Sequence, residues 1–150
     1  MHLICWEAIE QMKRLPDASI DAIITDPPYW ITACKWDSVI PFEPMWAELK
    51  RIIKPNGAIV LFSSQPFTSF LIQSNIEEFK YCWYWKKERW TWFATSWKRP
   101  LMIIEDIPVF YKKQPTYNPQ MSEGEAYNKG TRKNQLTGSY GDFKQIEEKS

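Results

Sequence analysis

The segment Ile20 to Thr25 is apolar and β-branched almost throughout, and it ends at Asp26-Pro27-Pro28. Branched side chains favour extended backbone, while two consecutive prolines can neither donate to a sheet nor continue a helix. The run therefore predicts a strand buried on both faces, delivering a carboxylate and then an aromatic ring, Tyr29, to the edge of a sheet.

The flanking sequence alternates between the two regular periods. His2-Leu3-Ile4-Cys5 reads as a short strand, and Glu7 to Leu15 reads as a helix with Ile9, Met12 and Leu15 at helical spacing. Pro16-Asp17-Ala18-Ser19 supplies turn chemistry before the central run. Pro44 suits the first turn of a helix reaching about Lys54, with Trp46, Leu49, Ile52 and Ile53 on one face and Pro55-Asn56-Gly57 as its stop. Ala58 to Phe62 reads as a strand, Phe67 to Ser74 as a short helix, and Tyr81 to Lys86 and Ile107 to Lys112 as two further strands. From residue 114 the hydrophobic period vanishes, so 1–113 is expected to form the folded domain and 114–150 an irregular loop or linker.

Strands alternating with helices predict an α/β fold with a mainly parallel sheet and helices on both faces. Ligands of such sheets bind outside the carboxyl ends of the strands, where Asp26 stands. At 150 residues the chain is one domain's worth, and 44% hydrophobic with 25% charged residues suits a packed core. Nineteen basic against eighteen acidic residues leave a net charge of +1, so a nucleic-acid surface must come from local clustering. Cys5, Cys34 and Cys82 are odd in number and widely spaced, which argues against a disulfide framework or a metal site. Reduced thiols, no membrane-length apolar run and no leader-like start lead us to expect a cytoplasmic protein without a membrane partner.

Asp-Pro-Pro alone is a natural strand-ending turn. With Tyr29 and its wider context, the chain resembles the DNA amino-methyltransferases that use S-adenosylmethionine, whose catalytic motif is Asp/Asn/Ser-Pro-Pro-Tyr/Phe after a sheet strand. The resemblance includes Ile4-Cys5, Leu15-Pro16-Asp17, Ser19-Ile20-Asp21, Leu49 and Ile53-Lys54-Pro55-Asn56-Gly57. It continues with Trp85, Lys87, Arg99-Pro100, Glu105-Asp106-Ile107 and Val109-Phe110. It covers about residues 3–113, in the order of the subgroup whose catalytic motif precedes its cofactor motif. A partial Rossmann-like methyltransferase fold, with several strands missing, is the expectation that follows.

The chemistry explains the residue types. The lone pair of a nucleobase amino group is delocalised into the ring, so acceptors must hold its hydrogens before the nitrogen attacks a methyl sulfonium. The resemblance implies that the Asp26 carboxylate and the Pro27 carbonyl are those acceptors. Pro27 and Pro28 would fix the carbonyl's direction, and Tyr29 would stack on a base swung out of double-stranded DNA. Aspartate at the first motif position favours adenine. The amino group of cytosine, or of RNA or a protein side chain, remains an alternative, as does a DNA-binding remnant without catalysis.

Two further sets complete the expected site. Lys86, Lys87, Arg89, Lys98 and Arg99 interleave with Trp90, Trp92, Phe93 and Trp97, and with Trp85 they form a candidate DNA surface; the plain alternative is a solvated edge. Glu7 falls where the family has an acidic residue near the cofactor's adenosine, alongside Asp26. Read without the family, it is an ordinary first-turn helix acid.

The sequence departs from the family twice. The five glycines, Gly57, Gly124, Gly130, Gly138 and Gly141, include no Gly-x-Gly for a cofactor loop, so the chain is read as the amino-terminal part of a longer enzyme, with a second chain as one means of completing it. Trp6, Trp30, Trp90 and Trp92 stand where relatives carry glycine or other small residues, and Trp97 less clearly joins them. UGA codons decoded as glycine in the organism of origin would account for these; UGG at those positions would refute it.

Overall fold

The computed structural model describes residues 7–28, 38–91 and 96–124, and of residues 90 and 91 the backbone alone. The helices are α1 (Ala8–Met12), α2 (Phe42–Ile52) and α3 (Phe67–Ser74), and the strands are β1 (Ile20–Thr25), β2 (Ile53–Leu61), β3 (Phe79–Thr91) and β4 (Met102–Phe110). They form a four-stranded sheet in the order β1-β2-β4-β3. The compact unit runs to Tyr117, and residues 118–124 of the remainder carry no helix or strand.

The α/β class holds, with one parallel pair, β1–β2, beside two antiparallel pairs, β2–β4 and β3–β4. The described sheet is therefore mixed where a mainly parallel one was expected. Its antiparallel half arises because β3 leads into β4 without an intervening described helix. The expected strand at 2–5 lies outside the described residues.

Burial sets the sidedness. Met45, Trp46 and Leu49 of α2, Phe67 and Leu71 of α3, and Ile59, Leu61 and Phe110 of the sheet form one core, with Met12 and Ile23 packed against it. Trp46 meets Phe110 edge-on at 4.9 Å between centroids, and its indole N–H donates to Ser74 Oγ at 2.8 Å, tying α2 to α3. Side chains alternate across a sheet, so Ile24, Val60, Val109, Tyr81, Trp83 and Trp85 occupy the opposite face. The described helices gather on the first face alone, contrary to helices on both. β1 is correspondingly not buried on both sides: it is the outer strand of the described sheet, and Ile24 is 68% exposed.

Helix α2 stops at Ile52, earlier than expected, because Ile53 adopts extended backbone and pairs with Ile20. Lys54 precedes Pro55, which disfavours helical geometry there. Pro55-Asn56-Gly57 thus becomes a bulge within β2, between the pairs Ile20–Ile53 and Ala22–Ala58. A Cβ on Gly57 would lie 2.7 Å from the Ile53 side chain and 2.8 Å from the Asp21 carbonyl oxygen, so only glycine fits this close approach unchanged. Arg51 pins the preceding segment to α2. Its guanidinium donates to the carbonyls of Met12 (2.7 Å) and Leu15 (2.8 Å) and pairs with Glu48 and Asp17.

Candidate active site

Asp26 leaves the carboxyl end of β1, and Pro27 behind it is buried. Because β1 and β2 are parallel, the residue leaving β2 stands beside it: the Phe62 amide donates to the Thr25 carbonyl at 2.9 Å. Ser63 then exchanges two backbone hydrogen bonds with Asp106 of β4, at 2.9 and 3.1 Å. Thr68 Oγ1 lies 2.8 Å from the Asp106 carboxylate and 3.0 Å from Ser63 Oγ, so the start of α3, the residues just past β2 and the middle of β4 are locked together. Ser63 and Thr68 are almost wholly buried, where hydrogen bonds cannot be exchanged for water.

The ring of Phe62 meets that of Trp85 edge to face, at 6.0 Å and 84°. Trp85 is in turn 5.8 Å from the Lys87 ammonium, and Lys87 forms an ion pair with Glu105, which is opposite Trp85 in the β3–β4 register. The carboxyl end of the sheet therefore joins Asp26, an aromatic pair and a cation already neutralised by a carboxylate. Acceptors for an amino group and a flat apolar surface beside them suit a planar, amine-bearing ring.

The expected DNA surface divides. Trp85 stands at the site, half exposed, whereas Lys87 is committed to Glu105. Lys86 and Arg89 are exposed along β3, which continues to Thr91 rather than ending at Lys86. The β3–β4 register shifts between Lys86 and Thr91, the stretch that holds Trp90. Lys98 and Arg99 are exposed after the sheet, with the Lys98 ammonium 4.3 Å from the Trp97 ring centroid. Tyr29, Trp6, Trp30, Trp92 and Phe93 lie outside the described residues.

Glu7 caps α1: its carboxylate accepts from the amides of Ile9 (3.1 Å) and Glu10 (2.7 Å). No group of three or more His, Cys, Asp or Glu among the described residues could hold a metal ion, and no described helix is long and apolar enough to cross a membrane. Gly57 sits midway along β2, packed against Ile53 and the Asp21 carbonyl, and a Cβ on Gly124 would meet nothing within 4 Å, so neither supplies a backbone cradle beside Asp26.

Sequence reasoning missed Phe62, Thr68 and Glu105 as parts of this site. Phe62 was within reach, since the residues that follow two neighbouring parallel strands are themselves neighbours. Thr68 and Glu105 depend on pairings across the sheet, for which one sequence carries no signal.

No family profile matches the chain. It is 35% identical to the Type II methyltransferase M.HpaI of Haemophilus parainfluenzae, over 46% of this chain and 25% of that protein. The crystal structure of M1.HpyAVI superposes with a TM-score of 0.53 at 25% identity, covering 79% of this chain and 58% of the other. The cytosine-N4-specific PvuII DNA methyltransferase superposes at 0.59 with 15% identity, covering 83% and 58%. The chain thus spans a quarter of the curated relative and somewhat over half of the solved ones. M1.HpyAVI has also been solved as a complex with S-adenosylmethionine. In sequence over 46% of its length, and in fold, the chain is similar to DNA methyltransferases.

Proposed function

We propose that the protein these residues serve methylates the exocyclic amino group of adenine in double-stranded DNA, and that this chain provides the base-activating side of the site. The observation that carries the reading is the placement of Asp26, followed by the buried Pro27, at the carboxyl end of a strand parallel to its neighbour. Asp26 and the Pro27 carbonyl accept the amino hydrogens and raise the nucleophilicity of the nitrogen, while Tyr29 stacks on the flipped base. S-adenosylmethionine supplies the methyl group when bound, with Glu7 toward its adenosine. Trp85, Lys86, Arg89, Lys98 and Arg99 contact the DNA. Aspartate at the head of the motif supports adenine over cytosine.

Methyl transfer from labelled S-adenosylmethionine to duplex DNA, followed by identification of the methylated base, tests this reading. Asp26→Ala should abolish transfer and leave DNA binding intact. Unchanged turnover would refute the assignment.

A second reading applies to the 150-residue chain by itself: it folds and binds DNA but holds no cofactor. Five glycines without a Gly-x-Gly pair and the outer position of β1 support it. Further polypeptide pairing with β1 would complete the site, in the same chain or a second one. Calorimetric titration with S-adenosylmethionine should then give no saturable heat; one-to-one binding at micromolar concentration would contradict it.

A further inference from the structure

The two outer strands of the described sheet are β1 and β3. An outer strand leaves a row of backbone donors and acceptors open to a further strand, and proteins blunt such edges by keeping them short or charged. β3 is thirteen residues long, and Tyr81, Trp83, Tyr84 and Trp85 along it are 39%, 53%, 69% and 50% exposed. Its ladder with β4 is regular over residues 81–86 and shifts register on either side, between Phe79 and Tyr81 and between Lys86 and Thr91. Such shifts bend an edge away from a neighbour, so an added strand has this stretch to pair with.

The stretch is complementary to itself. About a two-fold axis perpendicular to the sheet, antiparallel strands oppose residues equally far from the axis, and opposed residues share a face. With the axis at Tyr84, Trp83 of each copy lies opposite Trp85 of the other on the face away from the helical core, and the two Tyr84 residues meet on the helical face. Just beyond the regular stretch, Lys80 of each copy comes level with Glu88 of the other, so opposite charges close both ends; both residues are exposed. Within its own chain Lys80 donates to the Glu77 carbonyl at 3.3 Å, a neutral acceptor weaker than a carboxylate. Moving the axis to Trp83 would oppose Lys80 to Lys86, and like charges across a ladder are destabilising. Moving it to Trp85 would oppose Trp83 to Lys87, whose ammonium is committed to Glu105.

We propose that β3 is an interface between two copies of this chain, which pair antiparallel over residues 82–86 about an axis at Tyr84 and continue one sheet across both. The partner is identified by the two aromatic pairs and the two opposite-charge pairs that this register alone assembles from a single strand. The proposal is independent of the chemistry assigned to Asp26.

Sedimentation equilibrium of the full chain, across a wide concentration series without DNA, is the test. A reversible monomer–dimer equilibrium is expected. Tyr84→Lys places two ammoniums at the axis and should weaken it at least about tenfold. Tyr84 is exposed, so the far-UV circular dichroism of this variant should match the wild type. Lys80→Glu and Glu88→Lys each set like charges at both ends, and each should weaken dimerisation about fivefold or more. An equimolar mixture of those two variants regains opposite charges at both ends and should dimerise as the wild type does, a recovery that misfolded variants could not show. A chain that is monomeric throughout, or dimeric only when duplex DNA is added, would overturn the proposal. So would a dimer that Tyr84→Lys leaves unaltered, or a mixture that associates no better than its components.

Discussion

Phe62, just past the end of β2, and Trp85 of β3 meet edge to face although β4 separates those two strands in the sheet. Each belongs to the face opposite the helical core, and Phe62 is bonded through its amide to the residue preceding Asp26. Their contact carries the candidate site from a carboxylate on one strand to an aromatic platform on another.

A double-mutant cycle with Phe62→Ala and Trp85→Ala should give a coupling of about 0.5–1.5 kcal/mol in chemical denaturation, the worth of an edge-to-face pair beyond its buried area. Additive effects would mean that the rings share no stabilising contact.

Lys87 should matter less to DNA than its neighbours. Since its ammonium is paired with Glu105, Lys87→Ala should leave the salt dependence of duplex binding nearly unchanged. Lys86→Ala and Arg89→Ala should each reduce the slope of log K against log salt by about 0.9. Glu105→Gln, which frees the ammonium, should strengthen binding. Anisotropy titrations across a salt series would decide, and a Lys87→Ala slope change equal to that of Lys86→Ala would contradict the assignment.

Gly57→Ala should destabilise by roughly 1–3 kcal/mol, because the added methyl meets the Ile53 side chain and the Asp21 carbonyl at the bulge. The denaturation midpoint should fall with no change in its slope. An unchanged midpoint would show that β1 and β2 separate readily there.

These cases show what the sequence could convey. The bounds of β1 and α3 were legible because their signals are local: a branched run ended by Asp26-Pro27-Pro28, and a short apolar segment opened by Pro66. The exposure of Ile24 was not, since an apolar run reveals its preference for burial but not whether a neighbour is there to bury it. Strand β3 outran its expected end for the complementary reason: pairing with β4 holds Lys86 and its successors extended despite their charge. Asp26 and Trp85 are candidates from residue type and family resemblance, and the structure puts Asp26 at the exit of β1 and Trp85 against Phe62. The pairing of Lys87 with Glu105 arises only from cross-strand register.

Cys82 is a sensor of the β3–β4 pairing. Burial, above all, pushes its thiol up from the ordinary value, with the charge of Asp106 adding to it and a backbone hydrogen bond from Ile107 opposing. The folded state therefore favours the protonated form. Its contribution to stability is complete below the ordinary thiol pKa and is lost as the pH rises through the raised one. Alkylation of Cys82 near pH 8, followed by mass spectrometry of its peptide, should be slow in the folded protein and rise on unfolding. Equal rates in the two states would refute the shift.

The central claim is that Asp26 accepts a hydrogen from the amino group of adenine. The most direct measurement is single-turnover methyl transfer by a complete form of the protein, wild type against Asp26→Ala, with DNA affinity determined in parallel and the product base identified by mass spectrometry. The account predicts N6-methyladenine, a loss of about 10²–10³-fold or more in the transfer rate, and unchanged DNA affinity. A variant that transfers at the wild-type rate, or a wild type that yields only methylated cytosine, would contradict it.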